Sequence, residues 1–282
     1  MKAYIPWPLK IAAKLVLSRL GISHKCWRAV SLFKHGQMLD VGYAQAVFGR
    51  HTKHAPGGGG NLLEIGPGDS VMTALLAYAD FSHVTLVDSK VFASETAEPY
   101  IAASKDLAQA GRPVPDLEAV ASFDALLGAL RCDYRTQGLA SLGTIPANSI
   151  DFSFSHAVFE HLPLRQVEEF CSELFRVTRP GAKSSHVIDF EDHFCQSLHS
   201  LRFTEKTWES PLFARSGFYT NRRRLSHLIE AFEDAGFVVD TLEQYKWDIL
   251  PVSRARMDLN FRGLTECDLL TRGAHLVLLK PL

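Results

Sequence analysis

Cysteine is scarce in this chain, with five residues among 282. The cysteines lie far apart, and no two of them form a Cys-x-x-Cys pair. A disulfide framework needs closely spaced cysteines in even number, and structural zinc sites usually need paired thiolates, so the sequence predicts neither. We predict no other metal site, because no spacing of histidines and acids defines a convergent ligand set. This cysteine usage is typical of a reducing compartment, and we expect a cytoplasmic location.

Long apolar runs and a net charge are also lacking. No apolar run reaches the roughly 18 to 20 residues that span a bilayer. The formal net charge is −1, which gives no general attraction to nucleic acid, and we expect no nucleic-acid partner. The apolar fraction of 46% is enough for a large core, so the composition predicts one α/β domain with additions.

Acidic residues are absent from the first 39 positions, which carry seven basic residues. One interpretation is a basic amphipathic arm that contacts an anionic membrane or a lipid-linked substrate. The other is a helical cap that packs on the main domain with its basic side in water. We therefore predict an N-terminal helical extension over 1–56 and a main domain over 57–282, joined by flexible glycines at 57–60. The oligomeric state is not predicted.

The most informative segment lies between positions 61 and 88. The apolar run 61–65 ends in a turn with two glycines, and a second apolar run ends in Asp88. This order predicts a strand, a tight turn, a helix and a second strand, with bare backbone at the carboxyl end of the first strand. A carboxylate at the end of the second strand can accept two hydrogen bonds from a ribose diol. A site for a nucleoside-bearing cofactor follows, and an ordinary turn with a solvated Asp88 is the alternative.

The turn itself argues against a dinucleotide. Gly66 and Gly68 allow backbone conformations that a side chain forbids, and they let a ligand approach closely. A dinucleotide fingerprint would have a third glycine at position 71, where this chain has Val71. The turn is therefore poorly shaped for a pyrophosphate on a helix N-terminus.

These residues resemble the class I S-adenosylmethionine-dependent methyltransferases, especially uncharacterised bacterial small-molecule enzymes of the methyltransferase-11 type. Segments 145–162 and 175–182 are similar to the family's fourth strand with its following helix and to the turn before strand five. The resemblance implies S-adenosyl-L-methionine as cofactor and S-adenosyl-L-homocysteine as product. An ordinary loop acid is the alternative for Asp133. The implied cofactor contacts are Glu64, Gly66, Pro67 and Gly68 for the methionine part, Asp88 and Ser89 for the ribose, Asp133 and Tyr134 for the adenine, and Ser155 and His156 near the methyl-bearing sulfur.

The predicted fold is α/β, a Rossmann-like doubly wound sheet of seven strands. The sheet is expected to be mostly parallel with one antiparallel strand near the C-terminus. An N-terminal helical extension and a lid insertion over 190–222 complete it. Helices are predicted over 91–110, 123–130 and 225–235, and the later strands over 130–134, 151–155, 184–190, 237–239 and 275–279.

A dense polar cluster follows the fifth predicted strand and supplies the candidate catalytic residues. His193 is the first candidate for a general base, because an imidazole can take a proton near neutral pH. Asp189 or Asp192 could orient it, and His156 is the second candidate. A solvated loop with an acid that caps a local turn is the alternative. For the neighbouring pair Glu160 and His161, we expect a structural hydrogen bond rather than catalysis.

The segment 190–222 is rich in aromatic residues and is interpreted as a substrate lid. The run 222–224 could hold a phosphate or carboxylate through bidentate hydrogen bonds, or it could form the exposed first turn of the next helix. We predict methyl transfer to a small-molecule, saccharide or lipid-linked acceptor, with a hydroxyl as the preferred group. The alternatives are a nicotinamide-dependent oxidoreductase or epimerase and a non-catalytic binding module. The predicted substrate-binding residues are Asp192, Arg202, Tyr219, Asn221 and Arg222.

Overall fold

The computed structural model describes residues 6–17, 37–57 and 59–282. Among these residues, no helix combines the length and the apolar character needed to cross a membrane. Several residues of the predicted basic arm and one glycine of the predicted joint lie outside the described residues: Lys2, Arg19, Lys25, Arg28, Lys34 and Gly58.

Strands and helices alternate along most of the chain. The strands are β1 Asn61–Ile65, β2 His83–Val87, β3 Cys132–Arg135, β4 Ile150–His156, β5 Thr178–Asp189, β6 Val238–Lys246 and β7 Thr271–Leu279. The helices are α1 Trp7–Leu17, α2 Val41–Thr52, α3 Met72–Ala77, α4 Glu98–Gln109, α5 Phe123–Ala129, α6 Leu139–Gly143, α7 Val167–Val177, α8 Glu205–Trp208, α9 Pro211–Ala214, α10 Leu225–Asp234, α11 Leu259–Arg262 and α12 Glu266–Leu270.

All seven strands form one sheet in the order β3-β2-β1-β4-β5-β7-β6. β1 to β5 run parallel, and β7 is antiparallel to both β5 and β6. The predicted fold class, with one antiparallel strand near the C-terminus, is confirmed. From β1 the chain proceeds outward to β2 and β3 and then returns to β4 on the other side. This reversal opens a crevice at the carboxyl ends of β1 and β4, which is where open α/β sheets bind ligands.

The core forms two layers because side chains alternate between the faces of a strand. On β1, Leu62 packs with α2 to α5 on one face, and Leu63 packs with α6, α7 and α10 on the other. Both side chains are fully buried, and each contributes about 1.5–3 kcal/mol of hydrophobic stabilisation. Parallel strands covered on both faces are expected to read as continuous apolar runs, as β1 does.

Three predicted elements differ in extent. The helix predicted over 91–110 begins only at Glu98, since Pro99 lies in the first turn of α4, where its missing N–H is tolerated. The helix expected directly after β4 is two short 3₁₀ turns, Phe159–His161 and Leu164–Gln166, before α7 begins. β5 begins at Thr178, six residues before its predicted start, with a register shift against β4.

Outside the sheet, α1 packs on the aromatic segment 190–222. Trp7 and Ile11 of α1 join a cluster in which Trp208 and Phe218 are fully buried. The apolar face of α1 is therefore turned to the domain, as the cap interpretation expects for this described part of the extension. A separate cluster joins the chain between β6 and β7 to Leu201.

Candidate functional site

A cleft of about 1680 Å³ runs along the carboxyl edge of the parallel strands. Small-ligand pockets are typically about 300–1,000 Å³, so this cleft has room for two ligands. Most of the predicted site residues line it: Glu64, Gly66, Pro67, Gly68, Asp88, Ser89, His156, Asp189, Asp192, His193 and Tyr219.

The turn after β1 exposes backbone to this cleft. Gly66 and Gly68 have φ values of +73° and +70°, in the left-handed region that favours glycine. A Cβ on Gly66 would meet Cγ2 of Val158 at 2.4 Å. Gly66 N donates to Val87 O at 2.8 Å, and Gly68 N donates to Oδ2 of Asp88 at 3.3 Å. The turns after β1 and β2 are thus tied together at the crevice.

Two carboxyl groups flank this turn, and both are shielded from water. Burial raises the pKa of Glu64 to about 8. Burial also raises the pKa of Asp88, although its carboxylate accepts hydrogen bonds from the backbone of Gly68 and Ser89. Each group would be stabilised in its charged form by a ligand cation or by ligand hydroxyl donors.

The carboxyl end of β3 differs from the expectation. Asp133 does not line the cleft; its carboxylate pairs with Arg135 at 2.9 Å and lies 3.6 Å from Nε2 of His83. Tyr134 also lies outside the cleft lining, because its hydroxyl accepts hydrogen bonds from Phe92 N at 3.1 Å and Ala93 N at 3.3 Å. Neither residue is placed to contact an adenine in that cleft.

Gly138 takes their place at this end of the cleft, and the sequence reasoning missed it. Its φ is +55°, and its N–H donates to Asp88 O at 2.8 Å. Phe92 lines the same end of the cleft. The signal was a glycine three residues after a strand, at the edge where the other glycines lie.

Ser155 and His156 point to opposite faces of β4. Ser155 is fully buried, and its Oγ is 2.8 Å from Nδ1 of His186. It does not line the cleft, so its predicted cofactor contact is not supported. His156 lies on the other face and lines the cleft, because neighbouring side chains of a strand alternate.

A chain of imidazoles and one hydroxyl extends from His156 across the sheet. Nδ1 of His156 is 3.2 Å from Nε2 of His51, and Nδ1 of His51 is 2.8 Å from Oγ of Ser185. The same Oγ is 2.8 Å from Nε2 of His275. Nδ1 of His275 lies 4.0 Å from Oε1 of Glu243, a partly exposed carboxylate. Polar groups thus connect the cleft to the protein surface.

The carboxylate at the far end sets the direction of these hydrogen bonds. A hydrogen bond from Tyr245 lowers the pKa of Glu243, so the group is ionised at neutral pH. It favours the tautomer of His275 with the proton on Nδ1, and the hydroxyl of Ser185 then donates to Nε2 of His275. His51 must in turn donate to Ser185 and accept from His156. Nε2 of His156 is left as a proton acceptor.

Burial keeps these imidazoles neutral. It lowers the pKa of His156 and of His275 to about 4, with Arg50 adding to both effects. Burial also lowers the pKa of His51 far below its usual range. Neutral rings have one donor and one acceptor nitrogen each, as a directed chain requires.

A second polar cluster lies where the turn after β4 meets the segment after β5. Glu160, His161 and His193 each offer a ligand atom within 4.8 Å of the others. Nε2 of His193 is 3.7 Å from Oδ2 of Asp189. Burial, and then the nearby Asp189, raise the pKa of Glu160 well above its usual range, against a smaller effect of backbone amides. Sequence spacing did not show this convergence, since His193 is remote along the chain.

Two predicted substrate residues line the cleft, but their polar atoms are engaged. The carboxylate of Asp192 accepts from Cys195 N at 2.7 Å and His199 N at 2.8 Å, so it stabilises the local turn. Tyr219 donates its hydroxyl hydrogen to Glu209 at 2.9 Å. Each can present only carbon atoms or backbone to a ligand without giving up a bond.

The other three predicted substrate residues lie away from the cleft lining. Nδ2 of Asn221 donates to the carbonyl groups of Phe159 and Leu162, which fixes the turn after β4. Arg222 is buried, and its guanidinium donates to Phe203 O at 2.7 Å. Arg202 stacks over the ring of Trp7 on α1.

The arginine run is neither an anion site nor an exposed helix turn. Arg224 is 1% exposed and donates to the carbonyl groups of Phe190, Asp268 and Thr271. Arg223 pairs with Glu168 on α7. Carbonyl oxygens at the ends of neighbouring elements therefore absorb these charges.

The comparisons with known proteins agree with this geometry. Residues 63–185 match the family model described as a methyltransferase domain. No curated protein sequence matches the chain significantly.

Solved methyltransferase structures are similar to this chain. Phosphoethanolamine N-methyltransferase 2 of Haemonchus contortus, bound to phosphomonomethylethanolamine and S-adenosylhomocysteine, is 14% identical with a TM-score of 0.50 and covers 99% of this chain, which spans 61% of that protein. The YcgJ protein of Bacillus subtilis is 15% identical over 84% of this chain and 99% of its own, with a TM-score of 0.48. A methyltransferase of Methanosarcina mazei is 18% identical over 82% and 96%, also with a TM-score of 0.48.

Proposed function

We propose, from the premise that this chain carries a class I S-adenosylmethionine-dependent methyltransferase domain, that it transfers a methyl group to a hydroxyl oxygen. The acceptor class is a small molecule, a saccharide or a lipid-linked molecule. The observation that carries the hydroxyl is the acceptor nitrogen of His156, which lies in the same cleft as the glycine turn.

The cofactor would lie across the crevice between β1 and β4. Glu64 would pair with the ammonium of its methionine part, and the amides around Gly66 and Gly68 would bind the carboxylate. Asp88 would accept from the ribose hydroxyls. Gly138 and Phe92 would contact the adenine, in place of Asp133 and Tyr134.

The sulfonium of the cofactor carries an activated methyl group, so the protein mainly has to align acceptor, methyl and sulfur. An oxygen that accepts a methyl becomes a strong acid and has to lose its proton. Nε2 of His156 would take that proton, although its pKa is lowered to about 4, because a methylated hydroxyl is far more acidic than an imidazolium. The proton on Nδ1 would then move toward His51 and along the chain to Glu243.

This reasoning ranks His156 above His193 as the base. His193 belongs to the cluster with Glu160 and His161, and its backbone carbonyl accepts from Nζ of Lys14 on α1 at 2.9 Å. Lys10 and Lys14 both line the cleft. Their charge would favour an acceptor with a phosphate or carboxylate group. A membrane contact of the N-terminal segment stays a prediction.

Calorimetry and turnover test the proposal together. We expect S-adenosylhomocysteine to bind the wild type, and Asp88→Asn to weaken binding at least tenfold, because hydrogen bonds to a charged group contribute about 1.5–3 kcal/mol. With labelled S-adenosylmethionine and a panel of hydroxyl acceptors, His156→Gln should lose most turnover while it keeps S-adenosylhomocysteine affinity. His83→Gln, a partly exposed histidine beside Asp133, is the control. Equal turnover of the two histidine variants would reject the role of His156.

A further inference from the structure

We infer that Glu160, His161 and His193 form a binding site for a divalent transition-metal ion at the side of the cleft. The ion would leave a coordination position open to an oxygen of the acceptor. That role rests on the proposed function, whereas the binding of the ion does not.

The first support is convergence from separate parts of the chain. Glu160 and His161 lie on the 3₁₀ turn after β4, and His193 lies beyond the end of β5. Their ligand atoms all lie within 4.8 Å of one another. Atoms bound to one ion at about 2.1 Å are about 3 Å apart, so side-chain rotations of less than about 2 Å would complete the set.

The second support is the state of Glu160. The residue is 4% exposed, and neither carboxylate oxygen has a hydrogen-bond partner among the described residues. A buried carboxyl group without partners is costly, and buried charges in proteins are paired or bind metals. The carboxylate also belongs to the set of converging ligand atoms. A cation there would supply the missing partner.

The third support is the orientation of His161. Its Nδ1 is 3.0 Å from the carbonyl oxygen of Tyr219, to which it can only donate. The proton is thereby fixed on Nδ1, and Nε2 keeps a lone pair. Metal-binding histidines typically donate their other ring N–H to a carbonyl or carboxylate in this way. Asp189, 3.7 Å from Nε2 of His193, adds a second negative group beside the site.

The donor set indicates which ions fit. Two imidazoles and one carboxylate suit zinc, cobalt or iron, whereas magnesium and calcium prefer oxygen ligands. Three protein ligands leave at least one open position in a catalytic-type site. His161 and His193 line the cleft, so the open position would face the space where the acceptor lies.

Metal titration of the full chain tests the site without an activity assay. After dialysis against a chelator, calorimetry with Zn²⁺ and absorption spectroscopy with Co²⁺ should show one bound equivalent, and Mg²⁺ at the same concentration should bind at least tenfold more weakly. Glu160→Gln should weaken Zn²⁺ binding at least tenfold and remove the Co²⁺ bands. His193→Asn should do the same and serves if the Glu160 variant does not fold. His83→Gln beside Asp133 is the matched control and should bind as the wild type.

The outcomes separate the two proposals. S-adenosylhomocysteine affinity of each variant should stay within threefold of the wild type, which reports both folding and an intact cofactor site. Zn²⁺ binding that is absent in the wild type, or that is unchanged in folded Glu160 and His193 variants, overturns the metal site and leaves the methyl-transfer proposal standing. Metal binding without any S-adenosylhomocysteine binding would have the opposite meaning.

Discussion

Gly66→Ala should weaken cofactor binding through backbone geometry alone. The residue has a φ of +73°, and the new Cβ would meet Cγ2 of Val158 at 2.4 Å. An alanine in the left-handed region costs about 1–2 kcal/mol. The contact would also have to open by about 1 Å to reach ordinary van der Waals distance, and overpacking of this kind costs about 1–3 kcal/mol.

The two costs affect different measurements. We expect the free energy of unfolding to fall by about 2–5 kcal/mol, the sum of strain and overpacking. If the turn moves to relieve the clash, at least one amide loses its hydrogen bond to the carboxylate of the cofactor. Such a bond contributes about 1.5–3 kcal/mol, so S-adenosylhomocysteine affinity should fall by a factor of about 10 to 100.

Gly111→Ala is a matched control for this prediction. Gly111 has a φ of +78°, but nothing lies within 4 Å of a Cβ built on it. Urea unfolding should therefore show only the strain of about 1–2 kcal/mol, and calorimetry should show unchanged affinity. Val158→Ala added to Gly66→Ala should recover part of both losses. Wild-type affinity in a folded Gly66→Ala protein would refute the assignment of this turn to the cofactor.

Two further predictions concern the histidines. His186 is fully buried, and burial lowers its pKa to about 3; since the unfolded pKa is about 6.5, its stabilising effect is lost as pH falls. The destabilisation by His186→Asn in urea unfolding should thus be about 1.4 kcal/mol smaller at pH 5.5 than at pH 7.5, and a constant difference would contradict the buried neutral ring. Glu243→Gln should lower turnover severalfold without changing S-adenosylhomocysteine affinity, because the chain to His156 loses its orienting charge; Glu118→Gln, another surface acid in an ion pair, is the control, and equal turnover of both variants would reject the relay.

Local sequence order predicted the cofactor end of the cleft because its determinants are close in sequence. Gly66 and Gly68 follow directly on a strand, and Asp88 ends the next one. The parallel pairing of two adjacent strands then brings their carboxyl ends together. Nothing beyond two short apolar runs and their punctuation was needed to predict that meeting.

The far side of the cleft depended on contacts that no local pattern encodes. His51 lies on α2 and meets Ser185 of β5, 134 positions later. The face taken by His156 rather than Ser155 depends on the phase of β4, and a strand buried on both faces shows no apolar and polar alternation to reveal it. The basic run at 222–224 suggested a solvated or anion-binding surface, because the carbonyl groups that receive Arg224 come from distant elements.

The buried acids of the cleft follow one electrostatic rule. Glu64 and Glu160 are each almost inaccessible to water, and burial raises the pKa of both. Neither has an arginine or lysine among its described ion-pair partners, although this domain places Arg224 and Lys280 where only carbonyl and amide oxygens receive them. A fold that can bury arginine at a carbonyl cluster could also have placed one beside these acids. Their cationic partners would instead arrive with ligands, the ammonium of the cofactor at Glu64 and a metal ion at Glu160, so that each carboxylate is charged only when its site is filled.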